Sequence, residues 1–465
     1  MEFQPFLIAL FFLSLLILIG KWLKIKLTIF QNYFIPTSII AGFIGLILGP
    51  QVLGTYGPSN LPFLEDGLFT AETIRIWRTM PEILITIIFA ALFLGKSIPN
   101  IKEIWIKAGP QVSYGQTVAW GQYVVGIILS LVVLTPFLGL PPAAGALIEI
   151  SFEGGPGTAA GLASTFESIN FSEGADLSLG LATIGVLSGV ITGVIAINWG
   201  VRNNKTSYAK PPSELSSEEK QGIITNEDTA SAGSLTTFSQ SVESLTIHTA
   251  FIAFAIGVGM LIQIILVQTE ELIWGSLFNV YIIEYVPLFP MAMLGGIITQ
   301  VLSTKVFKYN IINRRLIERL QGLSLDLLIV TAVSTLSLTV ISEHIVAFLI
   351  IAVTGIAWNI TAFVLLAPRM IPSYWFERGV VDLGQSMGMT TTSLLLLQIV
   401  DPERKTPTFE SFGYKQLLFE PIVGGGLFTA SSLPLLVQFG PYPVLIITGV
   451  LFVFWLIVGL RQWGY

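Results

Sequence analysis

Glu149-Ile150-Ser151-Phe152-Glu153-Gly154-Gly155-Pro156-Gly157-Thr158 interrupts a long apolar sequence. A second interruption, Val381-Asp382-Leu383-Gly384-Gln385-Ser386-Met387-Gly388-Met389-Thr390-Thr391-Thr392-Ser393, lies far downstream. The Gly-Gly-Pro-Gly core of the first cannot continue a regular helix, because Pro156 has no backbone donor and glycine is a poor helix residue. Thr158 onward can start a new one. A helix start presents unpaired N–H groups and a partial positive charge, which suit a substrate carboxylate. The carbonyls freed by the break suit Na⁺, a hard cation that prefers oxygen. The second interruption adds glycines, an amide, hydroxyls and one carboxylate.

The surroundings of these breaks are those of a membrane protein. Of 465 residues, 53% are hydrophobic and only 11% are charged, against about 25% charged in a soluble domain. The mean hydropathy is +0.78. Apolar stretches near 5–20, 34–50, 82–95, 113–136, 177–199, 247–268, 285–303, 322–340, 345–366, 417–437 and 443–460 are predicted to span the bilayer, since about 20 helical residues cross its hydrocarbon. The first is expected to be a retained span, because Lys21, Lys24 and Lys26 follow it where a secretory leader would place them before.

Charge orients the spans, with Lys and Arg favouring the cytoplasmic side. Basic residues fill alternate connections: Lys96, Lys102 and Lys107; Arg202, Lys205 and Lys210; Lys305 to Arg319; Arg369 and Arg378; and Arg461. The other connections carry mainly acids, such as Glu65, Asp66, Glu270, Glu284 and Glu343. The alternation holds only if 140–166 and 380–400 each enter and leave on one side, as re-entrant hairpins. The N-terminus is then outside and the C-terminus cytoplasmic.

Residues 1–200 therefore form an N-terminal repeat with its hairpin near 140–166. Residues 201–245, rich in Ser, Thr, Glu and Asn, read as a flexible cytoplasmic linker. Residues 246–440 form the second repeat, with a hairpin near 380–400, and 441–465 add an extra span and a tail. Gly154 and Gly388 lie about 234 residues apart, and the fourth spans of the two halves about 232. Five spans are an odd number, so the second half starts on the opposite face. The fold class is an all-α polytopic membrane protein with an inverted repeat of two five-helix halves, a pattern of secondary transporters.

The two tips are expected to meet near the midplane. Substrate binding is assigned to Glu153, Gly154, Gly155, Gly157, Thr158, Asp382, Gln385, Ser386, Gly388, Thr390, Thr391 and Thr392, and Na⁺ to Ser151, Glu153 and Asp382. A glycine-rich break can also be a packing device, but an acid in each of two corresponding breaks favours a site. Glu153 and Asp382 would repel a purely anionic solute, whereas a substrate ammonium or a bound cation would be held. Asp326, Glu149 and Glu420 also lie in apolar context, where an interfacial place or pairing with a base is an equal alternative. Trp358-Asn359 reads as packing plus one helix–helix hydrogen bond.

Along its length the chain resembles the bacterial sodium/glutamate symporter family. Tyr33-Phe34-Ile35-Pro36 leading to Ala41-Gly42 resembles the family's approach to its second span. Gly154-Gly155-Pro156-Gly157-Thr158 resembles its first re-entrant motif. Glu318-Arg319-Leu320 with Gly322, Ser324 and Leu325, the segment Gly384 through Thr392, and Pro421 with Gly424 follow in order. The resemblance implies Na⁺-driven uptake of glutamate, a homodimer and an elevator-like movement. Pro156 departs from the histidine common in the family, which bears on substrate identity.

A dicarboxylate transporter or a cation/proton antiporter is the alternative reading, with a channel behind it. No enzyme is expected: the chain has no cysteine and only His248 and His344, so no nucleophile–base arrangement or histidine metal site emerges. No cofactor and no nucleic-acid partner are expected either, since the basic residues form no single patch. Na⁺ is expected as the coupling ion, and the plasma membrane as the location.

Overall fold

The computed structural model describes residues 3–33, 35–55, 67–96, 101–208, 217–223, 231–278, 280–306, 311–402 and 405–464. Among them there are helices and connections but no strand. Phe34, Glu65, Asp66 and Lys210 lie outside the described residues. The first half consists of α1 (Phe3–Lys26), α2 (Thr37–Leu48), α3 (Ala71–Ala90) and α4 (Ile101–Leu129, prolonged by a wider turn to Leu138). The first broken stretch then runs from Pro142 to Ser168, ending in α5 (Gly155–Gly161) and α6 (Ala163–Ser168), and α7 (Glu173–Arg202) follows. The second half has α8 (Ser244–Glu270), α9 (Leu288–Val306), α10 (Arg314–Ser334), α11 (Leu338–Glu343) and α12 (Ile345–Leu365). The second broken stretch is α13 (Trp375–Ser386) and α14 (Thr390–Val400). Then come α15 (Thr408–Phe419), α16 (Leu427–Gln438) and α17 (Pro441–Val458).

Seven helices among the described residues are long and apolar enough to cross a membrane: Gln4–Lys26, Thr37–Gly54, Trp105–Leu138, Glu173–Arg202, Ser244–Phe278, Ile345–Met370 and Pro441–Trp463. The chain is thus a multi-pass membrane protein. Three more expected spans fall on α3, α9 and α10; α3 and α10 carry several charges in their first turns, including Glu72, Arg75, Arg314 and Arg315.

The expected span at 417–437 is not one helix. Glu420 to Gly426 separate α15 from α16. Pro421 cannot donate to the helix ladder, and Gly424 and Gly425 take φ of +70° and +101°, a backbone that glycine alone adopts at no steric cost.

Small residues let the helices pack closely, the main device available where lipid replaces water. A side chain on Gly295 would meet the Ala255 carbonyl, so α8 and α9 lie backbone to backbone. Gly42 seats α2 on Val333 of α10, and Gly296 seats α9 on Ala90 of α3. One large core joins α4, the two broken stretches, α7, α12 and α17 with residues of α2, α3, α9 and α10. The two broken stretches lie within this core, and they touch α3 through Gly157 and Gly161 against Ile85.

Candidate functional site

The backbones of the two broken stretches touch. Gly155 has φ of +74°, and a Cβ placed there would lie 2.2 Å from the Gly388 carbonyl oxygen. The second stretch doubles back, because Gly384 of α13 is packed against the Ser393 backbone and Leu396 of α14. Its turn is anchored from outside. Gln122 Nε2 and Asn359 Nδ2 both donate to the Ser386 carbonyl, at 2.9 and 2.8 Å, and Gln122 also donates to Asn359 Oδ1 at 2.9 Å. Asn359 thus does more than pair two helices, for it pins the turn of the second stretch. Trp358 Nε1 donates separately to the Val118 carbonyl.

Four carboxylates surround this contact. Glu149 is fully buried and accepts from three donors: Tyr123 Oη (2.6 Å), Gly424 N–H (2.9 Å) and Thr429 Oγ1 (2.8 Å). It ties the first stretch both to α4 and to the Glu420–Gly426 break, and is not interfacial. Asp382 is fully buried in α13 and pairs with Lys415 Nζ at 2.9 Å, the lysine being equally buried. Its other oxygen has no hydrogen bond, with the Gln111 amide alongside. Glu420 accepts from Gln416 Nε2 at 2.8 Å and from Thr390 Oγ1 at 3.5 Å.

Glu153 differs from the other three. It is 0% exposed, and neither carboxylate oxygen has a hydrogen-bond partner. The Ser386 hydroxyl, Asp382 and Lys415 are within its electrostatic reach. Burying an unpaired charge is costly enough that it is normally neutralised or paired, so a group in this position is poised for a counter-charge. Ser151 Oγ, Ser386 Oγ and Ser393 Oγ are also buried without partners.

The expected residues are placed as follows. Glu153, Gly155, Ser386 and Gly388 come together at the contact between stretches. Gln385 and Thr390 join Gln416 and Glu420 in one hydrogen-bonded group. Thr158 is buried beside Gly425, and Thr392 beside Gly388, whereas Gly154 lies over Thr158 in its own stretch. Gly157 faces Ile85. Ser151 is buried, but its hydroxyl is hydrogen-bonded to neither carboxylate of the expected Na⁺ set. The Thr391 side chain is outside the described residues. No group of three His, Cys, Asp or Glu that could hold a metal occurs among the described residues.

Sequence reading missed Lys415, Gln416, Gln111 and Tyr123. Lys415 was hidden by its place just before an apolar stretch, where a lysine is ordinarily interfacial. The signal was its company: Lys415, Gln416 and Glu420 precede Pro421 and three consecutive glycines, a polar run at a helix break.

The profile of the family described as sodium/glutamate symporter matches residues 5–401. The sodium/glutamate symporter of Haemophilus influenzae (strain ATCC 51907 / DSM 11121 / KW20 / Rd) is 22% identical over 425 residues, covering 88% of this chain and 91% of the relative. With a match over most of its length, the chain belongs to the sodium/glutamate symporter family.

Proposed function

We propose that this protein is a sodium-coupled secondary active transporter that imports glutamate or a similar small carboxylate by alternating access. The observation that carries the reading is Glu153, an unpaired buried carboxylate beside the Gly155–Gly388 contact. It is an oxygen-rich place for a cation, next to a backbone that can face a solute. Family membership supports Na⁺ and glutamate as the pair transported.

Re-entrant hairpins within an inverted repeat are part of the proposal, and contacts at the two ends of the bundle support them. The first stretch begins at Pro142, close to the end of α4 through Ser130 Oγ. It ends near Thr165, which donates to the Tyr285 carbonyl at the end of α8 remote from the linker. The second begins where Glu377 accepts from Ser207 N–H, just after α7. It ends near Lys405, whose Nζ stands over the Tyr208 ring. In the proposed topology each stretch would start and finish at one end, and the two would use opposite ends. The second helix of each half packs on the third helix of the other, α2 on α10 and α9 on α3, as an inverted pair would.

In the elevator form of the mechanism, the broken stretches would slide along α3, where Gly157, Gly161 and Gly425 meet Ile85 and Phe89. The substrate carboxylate would lie at the backbone of Gly154–Thr158, with hydroxyl contacts from Thr390, Thr391 and Thr392. A homodimer in the plasma membrane, with its N-terminus outside, completes the reading. The unpaired Glu153 also fits a cation/proton antiporter, which would exchange ions without an organic solute.

Purified protein in liposomes, with a sodium gradient and a panel of labelled amino acids and dicarboxylates, tests the reading. The expected result is concentrative, saturable uptake of an acidic substrate that stops when choline replaces sodium. Sodium-independent accumulation of every candidate, or pH-linked cation exchange with no solute moved, would overturn it.

A further inference from the structure

The four buried carboxylates of the site are compensated unequally. Glu149 has three hydrogen-bond donors, and Glu420 has two. Asp382 has an ammonium, Lys415 Nζ, at 2.9 Å with no exposure to solvent on either side chain. Neither oxygen of Glu153 has a hydrogen-bond partner, and Lys415, already bonded to Asp382, reaches it only through space.

Lys415 is built into this place. Gly115 of α4 makes room for its Cε, which a Cβ there would approach to 2.4 Å. Phe419 presents its ring face 4.0 Å from the ammonium, an attractive arrangement for a cation. Arg378, the other base near Asp382, is directed instead to Ser411 Oγ at 2.6 Å. The lysine is therefore held at Asp382 between Gly115 and the Phe419 ring, and no base is hydrogen-bonded to Glu153.

We infer that Lys415 is a tethered counter-cation that takes the place of a mobile ion at Asp382, leaving Glu153 as the site carboxylate that a transported Na⁺ neutralises. The inference rests on the sodium-coupled reading above and deepens it, for it assigns which acid the ion meets and which it does not. Removing the lysine's charge should then open a second ion position at Asp382. Neutralising Asp382 and Lys415 together should leave the ion count as it was.

The test is Na⁺ binding by the purified full-length protein, read as the rise in melting temperature with Na⁺ at constant ionic strength, choline making up the balance. A ligand that binds only the folded state stabilises it by mass action, so the steepness of the rise counts ions. Lys415→Met should bind one ion more than the unaltered protein, the pair Asp382→Asn with Lys415→Met should bind the same number, and Glu153→Gln should bind one fewer. Should Lys415→Met fail to fold, the charge-balanced pair and Glu153→Gln still decide. The inference is overturned if the pair loses an ion, if Glu153→Gln keeps the full number, or if folded Lys415→Met shows no gain. The transport reading fails separately, if the unaltered protein binds Na⁺ but no sodium-driven uptake of any acidic solute occurs.

Discussion

Lys415 Nζ lies 2.9 Å from Asp382 Oδ1, and both side chains are sealed from solvent. Breaking a buried ion pair by removing one partner costs about 3–5 kcal/mol, because the other charge is left uncompensated. Asp382→Asn and Lys415→Met should each lower the unfolding midpoint in detergent at low sodium. The double variant should recover most of the loss. A double-mutant cycle with additive losses would show that the pair is not coupled.

Gly155 is the residue at which the two broken stretches touch. Its positive φ alone makes alanine unfavourable by roughly 1–2 kcal/mol, and the Gly388 carbonyl leaves no room for a Cβ. Gly155→Ala should reduce transport severely. Gly139→Ala has the same sign of φ but open space around it, so it should cost only the backbone term. Equal uptake by both variants would argue against the contact.

Glu149 joins three elements by accepting from Tyr123, Gly424 and Thr429. Glu149→Ala leaves these donors without their acceptor, at about 1–3 kcal/mol for each unsatisfied buried group. Glu149→Gln keeps one acceptor oxygen and should be milder. Thermal unfolding of the two variants should rank them in that order, and the reverse order would contradict the assignment.

Asn359 and Gln122 both hold the Ser386 carbonyl. Asn359→Leu should cost about 1–3 kcal/mol by orphaning partners, and should raise proteolytic cleavage between α13 and α14. Unchanged protection there would show that the turn does not depend on this anchor.

Much of the fold was legible in the sequence because lipid constrains it simply. Long apolar runs mark helices, and the Gly154–Gly157 run and the Gly384–Gly388 region announce departures from them. The interruptions expected near 140–166 and 380–400 coincide with short helical segments over 142–168 and 375–400. The third break, at Glu420–Gly426, was read through, because the apolar residues on either side of it look continuous. The site was legible only in part. Glycines and acids stand out in an apolar sequence, so Glu153, Asp382 and Gly388 emerge as candidates. Which carboxylate has a partner depends on contacts between distant elements, such as Lys415 on Asp382 and Gly424 on Glu149. No local pattern encodes those contacts. Gly157 against Ile85 is likewise a contact between distant elements.

The central claim is that the two broken stretches enter the membrane from opposite faces and meet at Gly155 and Gly388. The chain has no cysteine, so single cysteines can be introduced at Pro141 and Asn170, on either side of the first stretch, and at Ser373 and Pro402, flanking the second. Labelling by a membrane-impermeant maleimide in intact cells and in inverted vesicles then reports the face of each. The account predicts that Pro141→Cys and Asn170→Cys react from outside alone, and that Ser373→Cys and Pro402→Cys react from the cytoplasmic side alone. Labelling of the two flanks of either stretch from different sides would contradict it.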